Sequence, residues 1–594
     1  MTTRWAVWRH LVTLHWRAHR RVVLLIALLA PLEAASFALV SVAQRHLADS
    51  ATNGVLAGVL AAALLGGLGN LVISGVLRTK ANLQADVVER VDALVSAEVL
   101  RTVTAVPTIE HLERTDYLDR LSLLLRGTRS LAFAPWQLVT FATVAVQVGL
   151  SCWLLFGVHP ALVLLVLFAV PPVWAVHRAQ RPVRAAATAT AELRRHDARL
   201  HGMATSHHSA RELRLAGAVD VVAASADRAW DAALDTAYRA RSRGLGWKLG
   251  GWAIHTLGYL AALGLVAWLV VGGHATLGDL ILFITLAGQL RAQLAQAADQ
   301  FDGFAEALHC GEQYLWLRRY SAEHEATGTV ELPSSPSGGI RLRDVGFTYP
   351  GTEEPVLSGV TVDIPQGSTV AVVGDNGAGK TTLVKLLTGM YRPTTGAISV
   401  GGVDLDETAP ARWRDRVTAA FQDGAEFALP AGRAIGVGRV EHLDDREAVE
   451  RAVDRAGAGE LVLTLPRGLD TQLGAVYDGL ELSGGQWQQL ALARAMMRPD
   501  AALTFLDEPT AALDPRIEHQ LYERMARHVG VAGGAGTTIL ITHRFSTTRM
   551  ADHILVLAGG RVVEQGRHRD LMARDGVYAT LYRAQLGAYG VTHE

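Results

Sequence analysis

Residues 374–381 constrain the fold of this chain more than any other stretch of its sequence. They read Gly-Asp-Asn-Gly-Ala-Gly-Lys-Thr and match the phosphate-loop pattern G-x-x-x-x-G-K-[ST] in full. The β-branched and apolar run 369–373 before them predicts a buried strand, and residues 382–387 after them have helical spacing. A strand that enters a glycine-rich loop and leaves as a helix directs backbone N–H groups and the positive end of the helix dipole at one point. This context predicts a nucleotide site.

Two side chains of the phosphate loop carry most of the expected chemistry. Lys380 is predicted to reach the β- and γ-phosphates of a nucleotide, and the Thr381 hydroxyl is predicted to ligate Mg²⁺. The residues expected to bind the nucleotide here are Gly374, Asp375, Asn376, Gly377, Ala378, Gly379, Lys380, Thr381 and Thr382.

Composition divides the chain into two parts. Half of its 594 residues are hydrophobic and 19% are charged, and the long apolar runs lie before about residue 300. The formal net charge of −1 gives no global attraction to nucleic acid, so no nucleic-acid partner is expected. Two cysteines, Cys152 and Cys310, cannot form a disulfide framework. The basic start runs into an apolar span without a small-residue cleavage site, so we expect no cleavable signal peptide.

Six apolar runs predict six membrane-spanning helices. A helical run of about 20 residues rises about 30 Å, which is the thickness of a bilayer's hydrocarbon core. The polar end of the last run, with Gln289, Arg291 and Gln293, is typical of a helix that leaves the membrane but continues. The predicted spans are 22–43, 54–77, 131–157, 160–177, 249–271 and 277–294.

The distribution of arginine predicts the orientation of these spans. The connections after the third and fifth spans are short and hold no Lys or Arg, whereas residues 78–130 and 178–248 are rich in Arg. The positive-inside rule then places both termini and both long connections in the cytoplasm of a multi-pass protein of the cell membrane. Residues 1–21 interleave Arg with Trp5, Trp8 and Trp16, which predicts a helix along the cytoplasmic membrane surface. A disordered basic tail is the alternative.

The long cytoplasmic connections have the composition of helical extensions, with breaks at 106–108 and 206–217. Glu33 is the carboxylate well inside the first span, next to Pro31. An ionisable group at that depth faces a cavity or a partner. A role in substrate contact or proton coupling and a structural role beside a polar neighbour are therefore equally open.

The second half of the chain completes the nucleotide chemistry. A polar Pro/Ser/Gly linker at 321–339 leads into a soluble domain from residue 340. The apolar strand 503–506 ends in Asp507, which fits a Mg²⁺-binding acid, and Glu508, which is placed to polarise an attacking water as a general base. An exposed acidic turn after the strand is the plainer interpretation, but it would not explain the pairing with a phosphate loop. Residues 482–486, Leu-Ser-Gly-Gly-Gln, precede a strongly helical stretch and predict a second anion-facing helix start, one more than a single nucleotide needs.

Five motifs, in this order, resemble those of the ATP-binding-cassette (ABC) transporters, specifically half-transporters with one membrane domain fused to one nucleotide-binding cassette. The motifs are the phosphate loop, Gln422 in Phe421-Gln422-Asp423, the signature 482–486, Asp507-Glu508 with Ala511-Ala512-Leu513-Asp514, and His543 in Ile541-Thr542-His543-Arg544. Tyr349 is similar to the family's adenine-stacking aromatic residue. The resemblance covers essentially the whole chain.

The resemblance implies a head-to-tail homodimer in which the phosphate loop of one copy and the signature of the other enclose each ATP. Ser483, Gly484, Gly485 and Gln486 would then contact the nucleotide of the partner. The implied catalytic residues are Glu508, His543, which would contact the γ-phosphate, and Gln422. The implied Mg²⁺ ligands are Thr381, Gln422 and Asp507, and Asp514 would link the two sites. ATP and Mg²⁺ are the implied cofactors.

The implied architecture is an α-helical six-span membrane domain of the exporter type with long cytoplasmic extensions, followed by an α/β P-loop ATPase cassette. Residues 107–111 and 209–214 resemble its two coupling helices; the first would contact both cassettes or its own, the second that of the partner. The predicted domains are a surface helix 1–21, a membrane domain 22–320, a linker 321–339 and a cassette 340–594.

The cargo is inferred from weaker similarity. Residues 468–474, Glu481 and Gln486-Trp487-Gln488 are loosely similar to lantibiotic-type peptide exporters, but Ala475 stands near where exporters carry Glu, and residues 433–435 depart from the usual Glu-Asn-Ile. The main expectation is ATP-driven export of an amphiphile, such as a modified peptide, across the lipid bilayer. The alternatives are multidrug or lipid export, import of a metal chelator by the same fold, and an ATP-gated channel or sensor.

Overall fold

A computed structural model of the chain describes residues 2–325, 328–332, 338–422, 424–507, 536–542 and 548–588. The chain forms two compact units. One comprises Met1–Leu100 and Leu121–Leu317, and the other comprises Arg101–Arg120 and Arg318–Glu594. The first unit holds the apolar helices, and the second holds two β-sheets and the short segment 101–120.

The first unit is built from long helices. In the described part of the chain, six of them are long and apolar enough to cross a membrane, which confirms the predicted number. Each extends well beyond its apolar run, as the composition of the connections predicted. The helices of this region, including the short α3 of segment 101–120, are α1 (Thr2–Thr52), α2 (Leu56–Ala105), α3 (Glu110–Glu113), α4 (Thr115–Val158), α5 (Leu165–Ala189), α6 (Ala191–Thr205), α7 (His207–Leu215), α8 (Val219–Val271) and α9 (Leu277–Glu323).

Helices α5 and α8 approach each other closely because α8 presents glycines at every seventh position. A Cβ on Gly244 would lie 3.0 Å from the Ala179 carbonyl oxygen, and one on Gly251 would lie 2.9 Å from the Pro171 carbonyl oxygen. A Cβ on Gly258 would overlap the Phe168 ring. In a lipid environment, such small-residue stripes let the two backbones approach closely, and the van der Waals packing between them contributes to the attraction between helices.

The N-terminal segment is continuous with the first span in α1, apart from non-helical backbone angles at His19. One face of this segment, with Val7, Leu11 and His15, is buried within the first unit. His15 Nε2 lies 2.8 Å from the Ala132 carbonyl oxygen of α4, and the Trp8 ring stacks 5.3 Å from the Phe304 ring of α9. The segment therefore packs against protein on this face, while Val12 and Trp16 on the other side are exposed.

The second unit contains a six-stranded sheet in the order β10-β9-β3-β8-β7-β6 and a four-stranded antiparallel sheet in the order β2-β1-β4-β5. The strands are β1 (Ile340–Phe347), β2 (Leu357–Ile364), β3 (Thr369–Gly374), β4 (Thr395–Val400), β5 (Val403–Asp404), β6 (Val417–Ala420), β7 (Leu503–Asp507), β8 (Thr537–Ile541), β9 (His553–Ala558) and β10 (Arg561–Gly566). The helices are α10 (Lys380–Leu387), α11 (Pro410–Arg414), α12 (Ala431–Gly436), α13 (Arg446–Ala456), α14 (Gly459–Thr464), α15 (Gly484–Ala495), α16 (His568–Arg574) and α17 (Val577–Ala588).

Strand β3 lies in the middle of the larger sheet and is buried on both faces. Val370 and Val372 join one hydrophobic cluster, whereas Ala371 and Val373 join another that includes Tyr578 of α17. A strand that is covered on both sides must be apolar at every position, which explains the continuous apolar run before the phosphate loop. Strands β9, β3, β8, β7 and β6 are parallel, so their carboxyl ends share one edge.

Candidate functional site: a phosphate-binding cavity

The phosphate loop has the predicted strand–loop–helix form. It leaves β3 at Gly374 and enters α10 at Lys380, with positive φ angles at Gly374, Gly377 and Gly379. The Lys380 Nζ donates hydrogen bonds of 2.8 Å to the carbonyl oxygens of Gly374 and Asp375. The loop thus folds around its own lysine and holds the ammonium at the positive end of α10, where an anion is favoured.

The parallel strands bring the other predicted residues to the same edge. Gln422 follows β6, Asp507 ends β7, and the phosphate loop follows β3, with β8 between β3 and β7. Side chains at the carboxyl ends of parallel strands converge in the crevice beyond the sheet. A cavity of about 240 Å³ lies there, lined by Val356, Asn376, Gly377, Gly379, Lys380, Thr381, Thr382, Gln422, Asp507 and Ile541.

The three predicted metal ligands all line this cavity: the Thr381 hydroxyl, the Gln422 amide and the Asp507 carboxylate. Each offers a hard oxygen donor, and one carboxylate together with substrate phosphates is the ligand set that Mg²⁺ prefers. The donors present therefore fit Mg²⁺ bound with a nucleotide.

Tyr349 lies next to the phosphate loop, as an adenine-stacking residue requires. Its hydroxyl shares a hydrogen bond of 3.1 Å with the Thr382 Oγ1. Its ring packs edge-on against Phe347 and Tyr391, with ring centroids 4.9 and 5.6 Å away. These neighbours hold the ring beside Thr382, which lines the cavity.

The signature residues do not line this cavity. Ser483 caps α15: the Ser483 Oγ accepts from the Gln486 backbone N–H, and the Gln486 Oε1 accepts from the Ser483 N–H at 2.9 Å. Ser483 and Gly484 are exposed, so the N-terminal end of α15 is open to a further ligand. Glu481, which precedes the signature, accepts a hydrogen bond of 3.2 Å from the Ala475 N–H.

Several predicted residues lie outside the described part of the chain. They are Glu508, His543, Asp423 and residues 511–514. Their roles remain those that the sequence predicts.

Two residues that no sequence motif pointed to connect the elements around the site. The Arg494 guanidinium of α15 donates to the carbonyl oxygens of Ala434 and Ala425 and lies 4.4 Å from the Phe427 ring centroid. Burial lowers the pKa of Arg494 to about 10, which leaves it charged at neutral pH. Arg494 thus connects the signature helix to the segment after Gln422.

The second residue is Arg414, whose guanidinium donates a 2.7 Å hydrogen bond to the Pro107 carbonyl oxygen.

In the first unit, Glu33 has a partner. Its carboxylate accepts from the Lys80 Nζ of α2 at 2.8 Å, and both residues are buried. A buried ion pair between two adjacent helices favours the structural alternative for Glu33 over direct contact with a substrate.

The fold and the cavity together define a class: a P-loop ATP-binding domain that follows a multi-pass membrane domain. A family model described as ABC transporter matches residues 357–511. The chain is 37% identical over 337 residues to an ATP-dependent lipid A-core flippase of Chromohalobacter salexigens, covering 56% of each chain. It is 36% identical over 318 residues to the flippase of the same name from Pseudomonas aeruginosa, covering 54% of this chain and 51% of that one. The matched region is thus about half the length of these curated relatives.

Among solved structures, a bacterial Atm1-family ABC exporter with ATP bound matches with a TM-score of 0.77 and 27% identity, over 95% of this chain and 98% of that one. The resemblance inferred from the motifs is confirmed. The chain has the fold of an Atm1-family ABC exporter, with an N-terminal membrane domain and a C-terminal domain that matches the ABC transporter family model.

Proposed function

We propose that two copies of this chain form an ATP-driven exporter that moves a lipid-like amphiphile out of the cytoplasm. One observation carries the proposal: a phosphate loop, a metal-binding acid and Gln422 line one cavity, while the anion-facing start of α15 stays exposed outside it. A site of this kind is completed by the exposed signature of a second copy.

The proposed chemistry assigns a task to each residue of the cavity. Lys380 and the backbone N–H groups of the loop hold the β- and γ-phosphates, and Tyr349 stacks on the base. Thr381, Gln422 and Asp507 hold the Mg²⁺ that offsets the phosphate charge. Glu508 is the general base for the attacking water, and His543 contacts the γ-phosphate.

Exposed tryptophans support the proposed position in a membrane. On α8, Trp247 and Trp268 are 46% and 69% exposed. They are separated by about 31 Å along the helix axis at about 1.5 Å per residue, which matches a bilayer core with an aromatic side chain at each interface. The Arg178 guanidinium lies 5.7 Å from the Trp247 ring centroid, which supports a cytoplasmic position for that end.

The cargo proposed is a lipid or similar amphiphile rather than the modified peptide favoured by the sequence. Two of the curated relatives to which the chain is similar are named as ATP-dependent lipid A-core flippases. Arg291 lies in the sixth apolar span, is exposed, and places its guanidinium 4.9 Å from the Trp252 ring centroid. Arg291 belongs to the polar end of this span, near the membrane surface, where an exposed cation suits an anionic headgroup.

The proposal is tested with full-length protein in proteoliposomes that contain a fluorescent lipid A. Added ATP acts on copies whose cassettes face outward, so export from the cytoplasmic side carries labelled lipid to the inner leaflet. We expect ATP to increase the fraction protected from dithionite, and Glu508→Gln protein to leave it unchanged. Equal protection with both proteins would contradict lipid export, and a decrease with wild-type protein would indicate the opposite direction.

A further inference from the structure

A short helix between the second and third spans contacts the helix of the phosphate loop. Glu113 of α3 accepts a hydrogen bond of 3.0 Å from the Lys385 Nζ of α10. The same segment is fixed to the cassette by the Ile109 N–H, which donates to the Met390 carbonyl oxygen at 3.0 Å. All of these groups belong to the second compact unit.

Lys385 also contacts the aromatic residues beside the nucleotide cavity. Its ammonium lies 5.4 Å from the Tyr349 ring centroid and 5.3 Å from that of Tyr391, within range of cation–π attraction. Lys385 lies one turn after Thr382, whose hydroxyl bonds to Tyr349. The face of α10 that carries Thr382 and Lys385 therefore meets Tyr349 on one side and Glu113 on the other.

Glu113 and Lys385 are both charged at neutral pH. Burial alone would raise the pKa of Glu113, but the Tyr391 hydroxyl and the Lys385 ammonium outweigh it, and the pKa lies below its ordinary value. For Lys385, burial is outweighed by the Glu113 carboxylate, and the pKa is raised. Both groups are charged, so the pair attracts throughout the physiological range.

We infer that Lys385 is a positioning residue that transmits the state of the base-stacking Tyr349 to α2 and α4 through Glu113. The inference rests on the proposed function. The residues from Val106 to Arg114 join the ends of α2 and α4, and both helices continue without interruption into apolar spans. A base that stacks on Tyr349 changes the environment of the Lys385 ammonium, and the ion pair carries that change to the segment joining two spans.

The test compares Lys385→Gln, Glu113→Gln and the exchange Lys385→Glu/Glu113→Lys in full-length protein in lipid nanodiscs. Glu110→Gln is the matched control: the same change on the same short helix, at a residue with no bond to Lys385. Each protein carries Cys152→Ser and Cys310→Ala, which removes both native cysteines. A spin label is placed at an exposed Asn53→Cys. The measurements are the affinity for a fluorescent ATP analogue and the ATP dependence of the label-to-label distance between two copies.

We expect both single variants to bind the ATP analogue but to need about tenfold more ATP than wild type for the half-maximal distance change. The charge exchange restores the response, and the Glu110 control matches wild type. If the single variants respond as wild type does, or if the exchange restores nothing while analogue binding is intact, the inference is wrong. A wild-type protein without any ATP-dependent distance change would instead contradict the proposed transporter function.

Discussion

The ion pair between Glu33 and Lys80 lies inside the membrane domain, with side chains only 6% and 8% exposed and 2.8 Å between the charged atoms. Taking both charges out of water is costly, and the pair offsets that cost only while it is complete. Replacing one partner with an apolar residue leaves the other charge buried and uncompensated. Replacing both leaves no buried charge.

Lys80→Met is therefore expected to destabilise the membrane domain strongly, by about 3–5 kcal/mol, because Glu33 is left buried without its cation. The double variant Lys80→Met/Glu33→Leu should recover most of this loss. Thermal unfolding in nanodiscs measures both. A double variant that is no more stable than Lys80→Met would contradict the structural role of the pair.

The imidazole of His568 has a lowered pKa. Its Nδ1 is bonded to the Tyr578 hydroxyl at 2.7 Å, and that hydroxyl is bonded to the Thr548 Oγ1 at 2.9 Å. Burial, followed by the charges of Arg549 and Arg569, lowers the pKa of His568 below 6.5. The unfolded chain therefore takes up this proton at a higher pH than the folded chain does.

Stability from this group is complete above pH 6.5 and is lost as the pH falls from 6.5 through the lower folded pKa. His568→Gln should flatten that part of the pH dependence. Unfolding temperatures of full-length wild type and variant between about pH 5 and 8 provide the measurement, with 6.5 as the ordinary imidazole value. Parallel curves for the two proteins would show that His568 does not contribute.

At the scale of elements, the phosphate loop offers a matched pair of glycines. Both Gly377 and Gly379 have positive φ angles, of 80° and 98°. A Cβ at Gly377 would meet nothing within 4 Å, whereas one at Gly379 would lie 2.6 Å from the Leu357 Cδ2. Alanine at the first position costs backbone strain alone, and at the second it costs strain and a steric clash.

We expect Gly379→Ala to weaken ATP binding and to lower stability by about 1–3 kcal/mol more than Gly377→Ala does. Equilibrium binding of a fluorescent ATP analogue and thermal unfolding measure the two effects. Equal losses in the two variants would mean that the packing of Leu357 on the loop is not what requires glycine.

The elements differ in how well the sequence predicts them. The phosphate loop and the end of β7 are local patterns, because the strand, glycines and helix are consecutive, and the structure gathers them as expected. The contacts of Glu33 with Lys80 and of Glu113 with Lys385 join residues 47 and 272 positions apart. These contacts depend on how distant helices pack against each other, and the spacing of neighbouring residues in the sequence does not predict that packing.

The N-terminal segment and α8 illustrate the same limit. The basic, Trp-rich pattern predicts an amphipathic helix, but an apolar face suits lipid and protein equally, and here Val7 and Leu11 pack against protein. The sequence contains the glycines at 244, 251 and 258, but it does not show that they allow close helix packing, because that depends on α5 lying opposite them. The sequence shows that a helix face carries apolar or small side chains, but it does not show whether lipid or protein covers that face.

At the scale of the whole molecule, segment 101–120 belongs to the same compact unit as the cassette, although the sequence placed it within the membrane domain. Two hydrogen bonds explain this. The Ile109 N–H of the segment donates to the Met390 carbonyl oxygen of the cassette, and the Arg414 guanidinium of the cassette donates to the Pro107 carbonyl oxygen of the segment. The unit that holds the phosphate loop therefore includes the stretch that connects two spans, as the proposed coupling of ATP binding to helix movement requires.

The molecule is also proposed to be incomplete alone, since the phosphate loop of one copy needs the signature of another. This is tested by mixing two inactive chains. A Lys380→Ala chain has a defective phosphate loop and an intact signature, and a Ser483→Arg chain has the reverse. When the two pair head to tail, both defects fall in one site, and the other site combines an intact loop with an intact signature.

The decisive measurement is the ATP hydrolysis rate of mixed pairs, purified through a different tag on each chain and compared with either parent alone. We predict that each parent is inactive, that the Ser483→Arg chain still binds nucleotide, and that the mixed pair regains hydrolysis at its one intact site. A mixed pair no more active than its parents, or a Ser483→Arg protein that hydrolyses ATP at the wild-type rate, would contradict a nucleotide site shared between two copies.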